Sequence, residues 1–425
     1  MSKYKVSGID VHKKMLAVVV ADVQGVGEYE FERRKIGTTP DQLRGLAEWL
    51  LEQDVQEVVM ESTAQYWRPV WEALERYWQP GCKKREGAGP MSGTLHLAQA
   101  KSNRAPGGRK NDFGDGERLL KRLVAHELVL SFVPNPEQRL WRTVTHRKHQ
   151  LTRDKVRLQN QMECFLEEAH IKLSSVVSDL LGESARRMLA GLAGGETKPA
   201  VLAAMADRGL KATQAELCDA LSAAADLNPV YRQMLKMTLE HLKVIEEHID
   251  QLDRQIAGLL GQHHAAVQRL AEVPGLGPDS AQQIIAEIGP TAAAFPSEKQ
   301  LASWVGVCPG QEESAGVSTS SRSPKGNHAM RRVLNQAAHA AVKVKGSIFE
   351  VKFQRLRRSM PYKEAIWATA HRLCRLVWKV LHEGVDYEER GPAVNAKSQK
   401  VRTSKMLREL RKRGYTIELP TPKAA

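Results

Sequence analysis

The sequence has no closely spaced cysteine pair, no apolar leader and no long apolar run. Its five cysteines (Cys82, Cys164, Cys218, Cys308 and Cys374) are scattered, without a CxxC motif or a disulfide-like framework. This argues against a disulfide scaffold, and we expect reduced thiols in a cytoplasmic protein. The N-terminus lacks a secretory signal core, and no apolar run approaches the roughly 18 residues of a membrane span. A membrane protein is therefore not expected.

Acidic residues are too few to balance the basic ones. Of 425 residues, 63 are Lys or Arg and 49 are Asp or Glu, which gives a formal net charge of +14. This excess favours a polyanionic partner, with nucleic acid ahead of an anionic membrane surface. The alternative is a soluble basic protein without a specific partner. At this length the chain is expected to form two or three domains.

The first part of the chain begins with apolar, β-branched segments. Residues 4–21 predict two short strands joined by a tight turn at His12-Lys13-Lys14, and residues 25–31 predict a third strand. A helix start is predicted at Thr38-Thr39-Pro40-Asp41, because proline is favoured in the first helical turn. The order of these elements is typical of an α/β domain.

Two acidic residues stand at the ends of these strands. The apolar run at 55–60 predicts a buried parallel strand that ends at Glu61, and a helix is expected over 66–77. Asp10 stands near the end of the first strand. Ligands of α/β sheets bind at the carboxyl ends of strands, so Asp10 and Glu61 are candidate site residues.

Two further acidic residues, Asp112 and Asp115, lie three positions apart at a predicted helix start. The stretch 81–114 is rich in Gly, Lys and Arg and is expected to be a loop around one strand at 95–98. A helix is predicted over 116–126. Asp112 and Asp115 can share one face of such a helix.

The middle of the chain predicts two long helices. The first starts at Pro136 and carries an apolar stripe of Leu140, Val144, Leu151, Leu158, Met162, Phe165 and Ala169. The second has two interleaved sets of residues at seven-residue spacing: Leu235, Leu242, Ile249 and Ile256, and Thr238, Ile245, Leu252 and Leu259. This pattern indicates a coiled coil, and it equally fits a helical hairpin formed with the first helix. Short helices are expected between the two.

The last third combines a glycine turn with a serine-rich loop. VPGLGPDSAQQIIAEIG (273–289) predicts a helix-hairpin-helix, in which Gly275 and Gly277 and a helix N-terminus face a phosphate. A plain helix–turn–helix connection has the same pattern. A polar loop is expected over 311–327, before a helix that starts near His328. The predicted regions are 1–135, 136–265, 266–386 and a basic tail, 387–425.

Four carboxylates that converge from separate elements need positive charge between them. Divalent metal ions that prefer oxygen ligands supply it, so Asp10, Glu61, Asp112 and Asp115 predict a site for Mg²⁺, with two ions expected and Mn²⁺ as the alternative. Each residue alone would more commonly be a helix cap or a solvated side chain. His12 is expected to be exposed, with a position near the metals as the alternative. His263-His264 has no further zinc ligand, and Trp67, Trp71, Trp78 and Trp141 are expected to pack in cores.

The motifs GIDVHK, MESTAQYW and GRKNDFGDGERL resemble the three acidic motifs of the DEDD transposases of the insertion sequence 110 (IS110) family, relatives of the pilin-gene invertase. PGLGPDSAQQIIAEIG and GVCPGQEESAGVSTSSRSPKGNHAMRRVL resemble the family's C-terminal transposase domain. The resemblance implies a RuvC-like (ribonuclease H-like) α/β domain, a coiled-coil region and a mainly α C-terminal domain. It also implies a bacterial cytoplasmic recombinase that acts on donor and target DNA as a dimer or tetramer, guided by a noncoding bridge RNA.

The resemblance assigns the nucleophile to Ser314 in PGQEESAG, with Ser318 as the alternative. A serine that attacks phosphorus would form a phosphoserine link that conserves bond energy for rejoining. Without the resemblance, the same loop would be interpreted as a flexible linker. Expected phosphate contacts are Arg322, Lys325, Arg331 and Arg332, and solvation on a helix face accounts equally well for Lys325, Arg331 and Arg332. The sequence departs from the family at Gly116, where Ala is common, and at Ala315-Gly316-Val317, where several members have a Gly-Gly-Lys-like run.

Two other functions remain open on the sequence. A RuvC-like junction nuclease would use the four acids with water as the nucleophile and would not need Ser314. A non-catalytic DNA- and RNA-binding protein derived from such an element would need none of these groups.

Overall fold

The computed structural model describes residues 4–24, 29–62, 64–78, 94–100, 111–207, 209–310, 312–314, 317–320, 323–389 and 404. The chain divides between Val133 and Pro134 into two compact units. Among the described helices, none combines the length and the apolar character that a membrane crossing requires.

The first unit is a five-stranded sheet with three helices. Its elements are β1 (Lys5–Val11), β2 (Met15–Asp22), β3 (Glu32–Gly37), α1 (Pro40–Glu52), β4 (Val55–Ser62), α2 (Trp67–Tyr77), β5 (Thr94–Leu97) and α3 (Asp112–Val124). The strand order is β3-β2-β1-β4-β5. The hairpin β1–β2 and the pair β2–β3 are antiparallel, whereas β4 runs parallel to both β1 and β5.

Helices cover both faces of this sheet, which is why its central strands are apolar at nearly every position. Alternate residues of β2 point to opposite faces: Val18 and Val20 pack with α1 and α2, whereas Val19 and Ala21 pack with α3. Trp71 and Trp78 are buried in the first of these cores, as the sequence predicts.

The third strand is not where its apolar pattern would place it. It spans Glu32–Gly37, later than the predicted 25–31, of which residues 25–28 lie outside the described part. The segment ERRKIG is strongly charged because β3 is the edge strand, whose side chains reach solvent. The helix α3 likewise begins at Asp112, four residues before the predicted start, so that both aspartates lie in its first turn.

The second unit is almost entirely helical. Its elements are α4 (Pro136–Glu168), α5 (Leu173–Val176), α6 (Glu183–Ala193), α7 (Pro199–Ala203), α8 (Gln214–Ala220), α9 (Pro229–Leu259), α10 (His264–Ala271), α11 (Pro278–Ile288), α12 (Glu298–Val305), β6 (Glu312–Ser314), β7 (Val317–Ser320), α13 (His328–Ala341), α14 (Ile348–Leu356) and α15 (Tyr362–His382).

The two long helices pack against each other within the chain, which is the hairpin alternative. Lys148 pairs with Asp253 and Lys155 pairs with Glu246, so the helices run antiparallel. Leu235, Leu242, Ile245 and Ile256 of α9 are buried, and Met162 and Phe165 of α4 are buried near the end closed by α5–α8. Leu140 is wrongly placed on the predicted stripe: it is 57% exposed, and Trp141 is buried instead.

The C-terminal part contains the predicted helix–turn–helix and a small hairpin. α10 and α11 flank the glycine turn, and α13 begins at His328 as expected. The segment predicted as a loop over 311–327 contains the antiparallel pair β6–β7, because alternating Ser, Thr and Val residues suit a strand. The predicted tail lies outside the described residues from 390 onwards, apart from 404.

Candidate functional site

The strand register places two of the four predicted acids side by side. Asp10 of β1 and Glu61 of β4 are register partners, at the carboxyl ends of two parallel central strands. Asp112 and Asp115 occupy the first turn of α3, which packs on β1. Carboxylates near a helix N-terminus are stabilised by its unpaired N–H groups and dipole. Separate elements of the first unit therefore bring these four carboxylates to the end of the sheet where β1 and β4 terminate.

A pair of glycines sets the distance between α3 and the sheet. A Cβ at Gly8 would overlap the carbonyl oxygen of Gly116, and a Cβ at Gly116 would lie 3.2 Å from both the Gly8 oxygen and Val19 Cγ2. The helix backbone therefore lies directly on β1, without an intervening side chain. Glycine is a weak helix former, and packing explains its presence at position 116: the helix backbone contacts β1 there. The close contact brings Asp112 and Asp115 over Asp10.

Burial and like charge raise the pKa values of the two strand carboxylates. The pKa of Asp10 is raised first by burial and then by Asp115 and Asp112, against the opposing effect of His12. The pKa of Glu61 is raised first by burial and then by Asp10 and Asp115, with Arg118 opposing. Such a cluster favours a bound cation, because a cation stabilises the ionised form of each carboxylate.

Two basic residues contact the acids: His12, for which a position near the metals was the alternative to simple exposure, and Arg118, which the sequence analysis missed. His12 Nε2 lies 3.2 Å from Asp10 Oδ2 and 3.5 Å from Asp112 Oδ1. Arg118 lies 3.2 Å from Asp115 Oδ1 and 3.9 Å from Glu61 Oε2. Arg118 was within reach of the sequence, since it stands three residues after Asp115 on α3.

The donor set fits a divalent cation. Single ligand atoms of Asp10, His12 and Asp112 all lie within 4.8 Å of one another. Within the described part of the chain, the buried Glu61 Oε2 has no hydrogen-bond partner, and its ion-pair partner Arg118 is 3.9 Å away, so a bound cation would offset the cost of burying this oxygen. Carboxylate oxygens are the ligands that Mg²⁺ and Mn²⁺ prefer. The geometry groups Asp10 with His12 and Asp112, whereas Glu61 and Asp115 approach Arg118.

The predicted nucleophile lies in the second unit, on the small hairpin. Ser314 is the last residue of β6 and pairs with Val317, and Ser318 of β7 pairs with Glu313. Ser314 and Val317 are therefore the last register pair of the hairpin before residues 315–316, which lie outside the described part. Lys325 is exposed beyond the hairpin. Arg322 lies outside the described residues.

The two ends of the hairpin segment meet at a tightly packed neck, formed by Gly306, Pro324, Gly326 and Arg331. Gly306 and Gly326 both have positive φ, and a Cβ at Gly326 would overlap the carbonyl of Val305. Arg331 donates hydrogen bonds to the carbonyl oxygens of Gly306 and Pro324 and lies over the Trp367 ring. Arg331, predicted to contact phosphate, holds the neck in this structure, and its pKa is lowered by burial.

A buried carboxylate connects this neck to the long helix α4. Glu287 of α11 is 2% exposed and accepts hydrogen bonds from His146 (2.6 Å) and Asn327 (2.9 Å), with Arg142 at 3.4 Å. Asn327 in turn caps α13 by accepting from the Met330 N–H. Burial raises the pKa of Glu287, but His146, Arg142 and Asn327 together lower it below its ordinary value.

The glycine turn before α11 has different surroundings at its two glycines. Gly275 has φ +86°, and a Cβ there would overlap the carbonyl of Ala337, so this glycine allows the turn to pack on α13. Gly277 is the N-cap of α11, and a Cβ there would meet open space. Of the two, Gly277 is the one that leaves room for a ligand at the helix N-terminus.

Arg332, the last of the predicted phosphate contacts, is half-buried on α13. Its guanidinium donates to Gln283 Oε1 at 2.7 Å. Burial lowers its pKa, and Asp279 and Glu287 oppose that effect.

Comparison with known proteins gives two family matches in chain order. A DEDD transposase model of IS110, described as "Transposase", matches residues 7–171, and the "Transposase IS116/IS110/IS902 family" matches residues 267–354. The first match contains the four acids, and the second contains Glu287, the hairpin and the neck.

Curated relatives agree with these matches. A "Probable family 20 transposase" of Pseudomonas aeruginosa is 29% identical over 42% of this chain and 54% of its own length. The "Transposase for insertion sequence element IS1328" of Yersinia enterocolitica is 24% identical over 66% of this chain and 74% of its own. An "Insertion element IS110 uncharacterized 43.6 kDa protein" of Streptomyces coelicolor is 25% identical over 36% and 37%. The alignment to the first of these spans only about half of that relative. With the acidic cluster and both family matches in order, the chain belongs to the IS110 family of transposases.

Proposed function

We propose that this protein is a DNA transposase that cleaves and rejoins strands of a mobile element. The observation that carries the proposal is the pairing of Asp10 with Glu61 on adjacent parallel strands, under the first turn of α3 with Asp112 and Asp115. Such a cluster in a chain with net charge +14 suits a phosphodiester substrate. The strand order and the parallel pair β1–β4 support a RuvC-like (ribonuclease H-like) fold for this unit.

The acids are proposed to hold divalent metal. Asp10, His12 and Asp112 have ligand atoms close enough to share one ion, and Glu61 and Asp115 would complete the set. When bound, Mg²⁺ or Mn²⁺ would neutralise charge on the nonbridging phosphate oxygens. Arg118, which contacts Asp115 and approaches Glu61, partly neutralises the cluster before metal binds.

Ser314 is proposed as the nucleophile. Its Oγ loses a proton to water and bonds to phosphorus while the bond from phosphorus to the 3′ oxygen breaks, which leaves a 5′-phosphoserine and a free 3′-hydroxyl. A second 3′-hydroxyl then attacks phosphorus and releases the serine oxygen, which regains a proton. Ser314 lies at the end of β6, and Arg331 holds together the two ends of the segment that carries this hairpin. This supports the role of Ser314, since a segment with fixed ends limits the motion of the attacking group.

The proposed partners are donor and target DNA, a guide RNA and a second copy of the chain. RNA guidance is supported by family resemblance alone, and sequence choice would then come from base pairing, as in other RNA-guided enzymes. Self-association is supported by an exposed apolar stripe on α9, made of Val230, Met237 and Val244 at seven-residue spacing.

The test is a search for a covalent protein–DNA adduct. The purified protein is incubated with RNA transcribed from the flanking element, Mg²⁺ and end-labelled element DNA, and the products are separated on a denaturing gel. We expect an adduct with wild type and with Ser318→Ala, and none with Ser314→Ala, with Asp10→Asn or in EDTA. Omitting the RNA should abolish the adduct if guidance is required.

Other outcomes identify the alternatives. Cleaved DNA that never becomes attached to protein, and that persists in Ser314→Ala, would contradict the serine mechanism and indicate a metal-dependent junction nuclease. Tight binding without any cleavage in every variant would indicate a non-catalytic nucleic-acid-binding protein.

A further inference from the structure

An open groove lies in the second unit, between α4, α11 and α13. Its volume is about 560 Å³. Its walls include Lys148, Arg153 and Arg157 from α4 and Arg332 from α13. We call it the α4–α11–α13 groove. The acidic cluster belongs to the other unit, so the groove is a separate feature of the chain.

The groove carries more positive charge than its own carboxylate can balance. Asp279 is the acidic residue in its lining, and Lys148 already binds Asp279 together with Asp253. Arg157 has Asp154 at 3.5 Å. Among the described residues, Arg153 and Arg332 form no ion pair. The groove therefore has two guanidinium groups whose counter-charge must come from elsewhere.

Arg332 is the more informative of these two. It is half-buried, and its hydrogen bond goes to the neutral Gln283. Burial lowers its pKa although the carboxylates of Asp279 and Glu287 oppose that effect, so a bound anion would further stabilise this partly desolvated cation. His149, in the same lining, also has its pKa lowered, first by burial and then by Arg332 and Arg153, so the cationic field extends across the groove.

The rest of the lining fits a phosphate backbone better than a small molecule. Asn160, Gln283 and Gln336 are neutral amides that can donate hydrogen bonds to phosphate oxygens. Small-molecule sites are mostly apolar and enclosed, whereas this groove is open and is lined by four basic side chains, Lys148, Arg153, Arg157 and Arg332. Arg153 and Arg157 lie one turn apart on α4, so they can contact successive phosphates along a nucleic-acid strand.

We propose that the α4–α11–α13 groove binds the sugar–phosphate backbone of a nucleic acid, through Arg332 and Arg153, independently of the acidic cluster. The inference rests on the proposed function only in that the ligand is a nucleic acid. RNA and DNA share the phosphate chemistry that the groove recognises, so the experiment must separate the two.

The test measures binding in EDTA, where the unmetallated acids repel phosphate. Fluorescence anisotropy with labelled hairpin RNA and labelled duplex DNA gives the dissociation constant over a range of salt concentrations, for the full chain. Arg153→Gln and Arg332→Gln should each weaken binding several-fold. Each should also reduce the slope of log affinity against log salt by about 1, and the double variant by about 2.

A double variant with the same loss of charge is the control. Lys236 and Lys243 are exposed on α9, outside the groove, and Lys236→Gln/Lys243→Gln removes two positive charges there. A larger loss for the groove variants, with either probe, supports the proposal, and the probe that loses more identifies the bound nucleic acid. Equal losses for the groove and control variants, with both probes, would overturn it.

Two features keep the outcome interpretable. Arg153 is exposed, so Arg153→Gln decides the question even if Arg332→Gln lowers the melting temperature. The proposed function is tested separately by the Ser314 adduct. Weak binding by the groove variants, with an adduct still formed at high DNA concentration, would support the groove proposal. Loss of the adduct without any change in binding would contradict the proposed function and not the groove proposal.

Discussion

At the scale of single residues, Gly8 and Gly116 should differ sharply in their tolerance of a side chain. Gly8→Ala would drive a methyl group into the Gly116 carbonyl, push α3 off β1 and lower the free energy of unfolding by about 3 kcal/mol. Gly116→Ala meets contacts at 3.2 Å and gains helix propensity of about 1 kcal/mol, so it should be nearly neutral. Urea unfolding measures both. Equal effects would mean that the close contact does not position α3.

His12 offers a second prediction at this scale. Because its Nε2 faces Asp10 and Asp112, His12→Gln should weaken binding of Mn²⁺ about 10-fold, as loss of a residue that orients or supplies a ligand commonly does. Calorimetric titration with Mn²⁺ measures this. His241→Gln, on an exposed position of α9, is the control and should bind as wild type does. Unchanged affinity in His12→Gln would place His12 outside the metal site.

The sequence predicted only those residues of the candidate site that stand in a recognisable local pattern. Asp10, Glu61, Asp112 and Asp115 follow recognisable strand and helix signals, so their convergence could be inferred. Glu287 could not, because its partners His146 and Asn327 lie far away in sequence and nothing local marks a buried carboxylate. The packing roles of Gly275 and Arg331 were missed for the same reason: they depend on contacts between distant segments.

At the scale of elements, adding a single methyl group to the neck of the hairpin segment should disrupt its packing. Gly326→Ala combines positive φ with an overlap against Val305, so it should open the neck and lower adduct formation at Ser314. Gly346→Ala has a similar positive φ but open space around its Cβ, and should cost only backbone strain of about 1 kcal/mol. If the two variants form the adduct equally well, the neck does not position the serine.

The Glu287 network that joins α4, α11 and α13 predicts a pH dependence of stability. Since the folded-state pKa of Glu287 is lowered below 4.5, its stabilising effect is fully present above that pH and is lost as pH falls through the folded value. Glu287→Gln should lower the free energy of unfolding by about 3 kcal/mol at neutral pH, because Arg142 and His146 lose their buried partner.

The same measurement repeated at acidic pH is the check on this network. The difference between wild type and Glu287→Gln should shrink as pH falls from about 4.5 through the lower folded-state pKa of Glu287, at which the wild-type carboxyl becomes protonated. Glu298→Gln is a suitable control, because Glu298 pairs with Arg375 near the surface and should contribute little. A difference that stays constant with pH would contradict an ionised Glu287.

Element types were predicted well where apolar periodicity is strong, and less well where charge dominates. β1, β2, β4 and the long helices follow from their patterns. β3 was misplaced because an edge strand needs no apolar face, and Leu140 was misassigned because Trp141 takes the buried position beside it. The sequence left the partner of the α9 heptads open, since a repeat specifies an apolar stripe and not the helix that covers it.

At the scale of the whole molecule, the acidic cluster and the excess of basic residues have different parts in the proposed function. The chain is strongly basic, and in the proposed function its acidic cluster would receive a phosphate, which a bound cation would allow. The excess of Lys and Arg would then supply long-range attraction for nucleic acid, and the proposed groove residues Arg153 and Arg332 would supply local contacts. Metal removal should therefore abolish cleavage while leaving salt-sensitive binding, and the two activities should be separable by mutation.

The exposed stripe on α9 provides the last prediction, because burying one face of α9 against α4 leaves another apolar face open. Val230 and Met237 are each 61% exposed and Val244 is 45% exposed, one heptad apart. A second copy of the helix can cover such a stripe. Met237→Lys/Val244→Lys should therefore convert an oligomer to a monomer in sedimentation velocity, without lowering the melting temperature. The control Val129→Lys/Val344→Lys, at similarly exposed positions away from α9, should leave the sedimentation coefficient unchanged. A wild-type protein that sediments as a monomer, or stripe variants that still associate, would assign self-association to another surface.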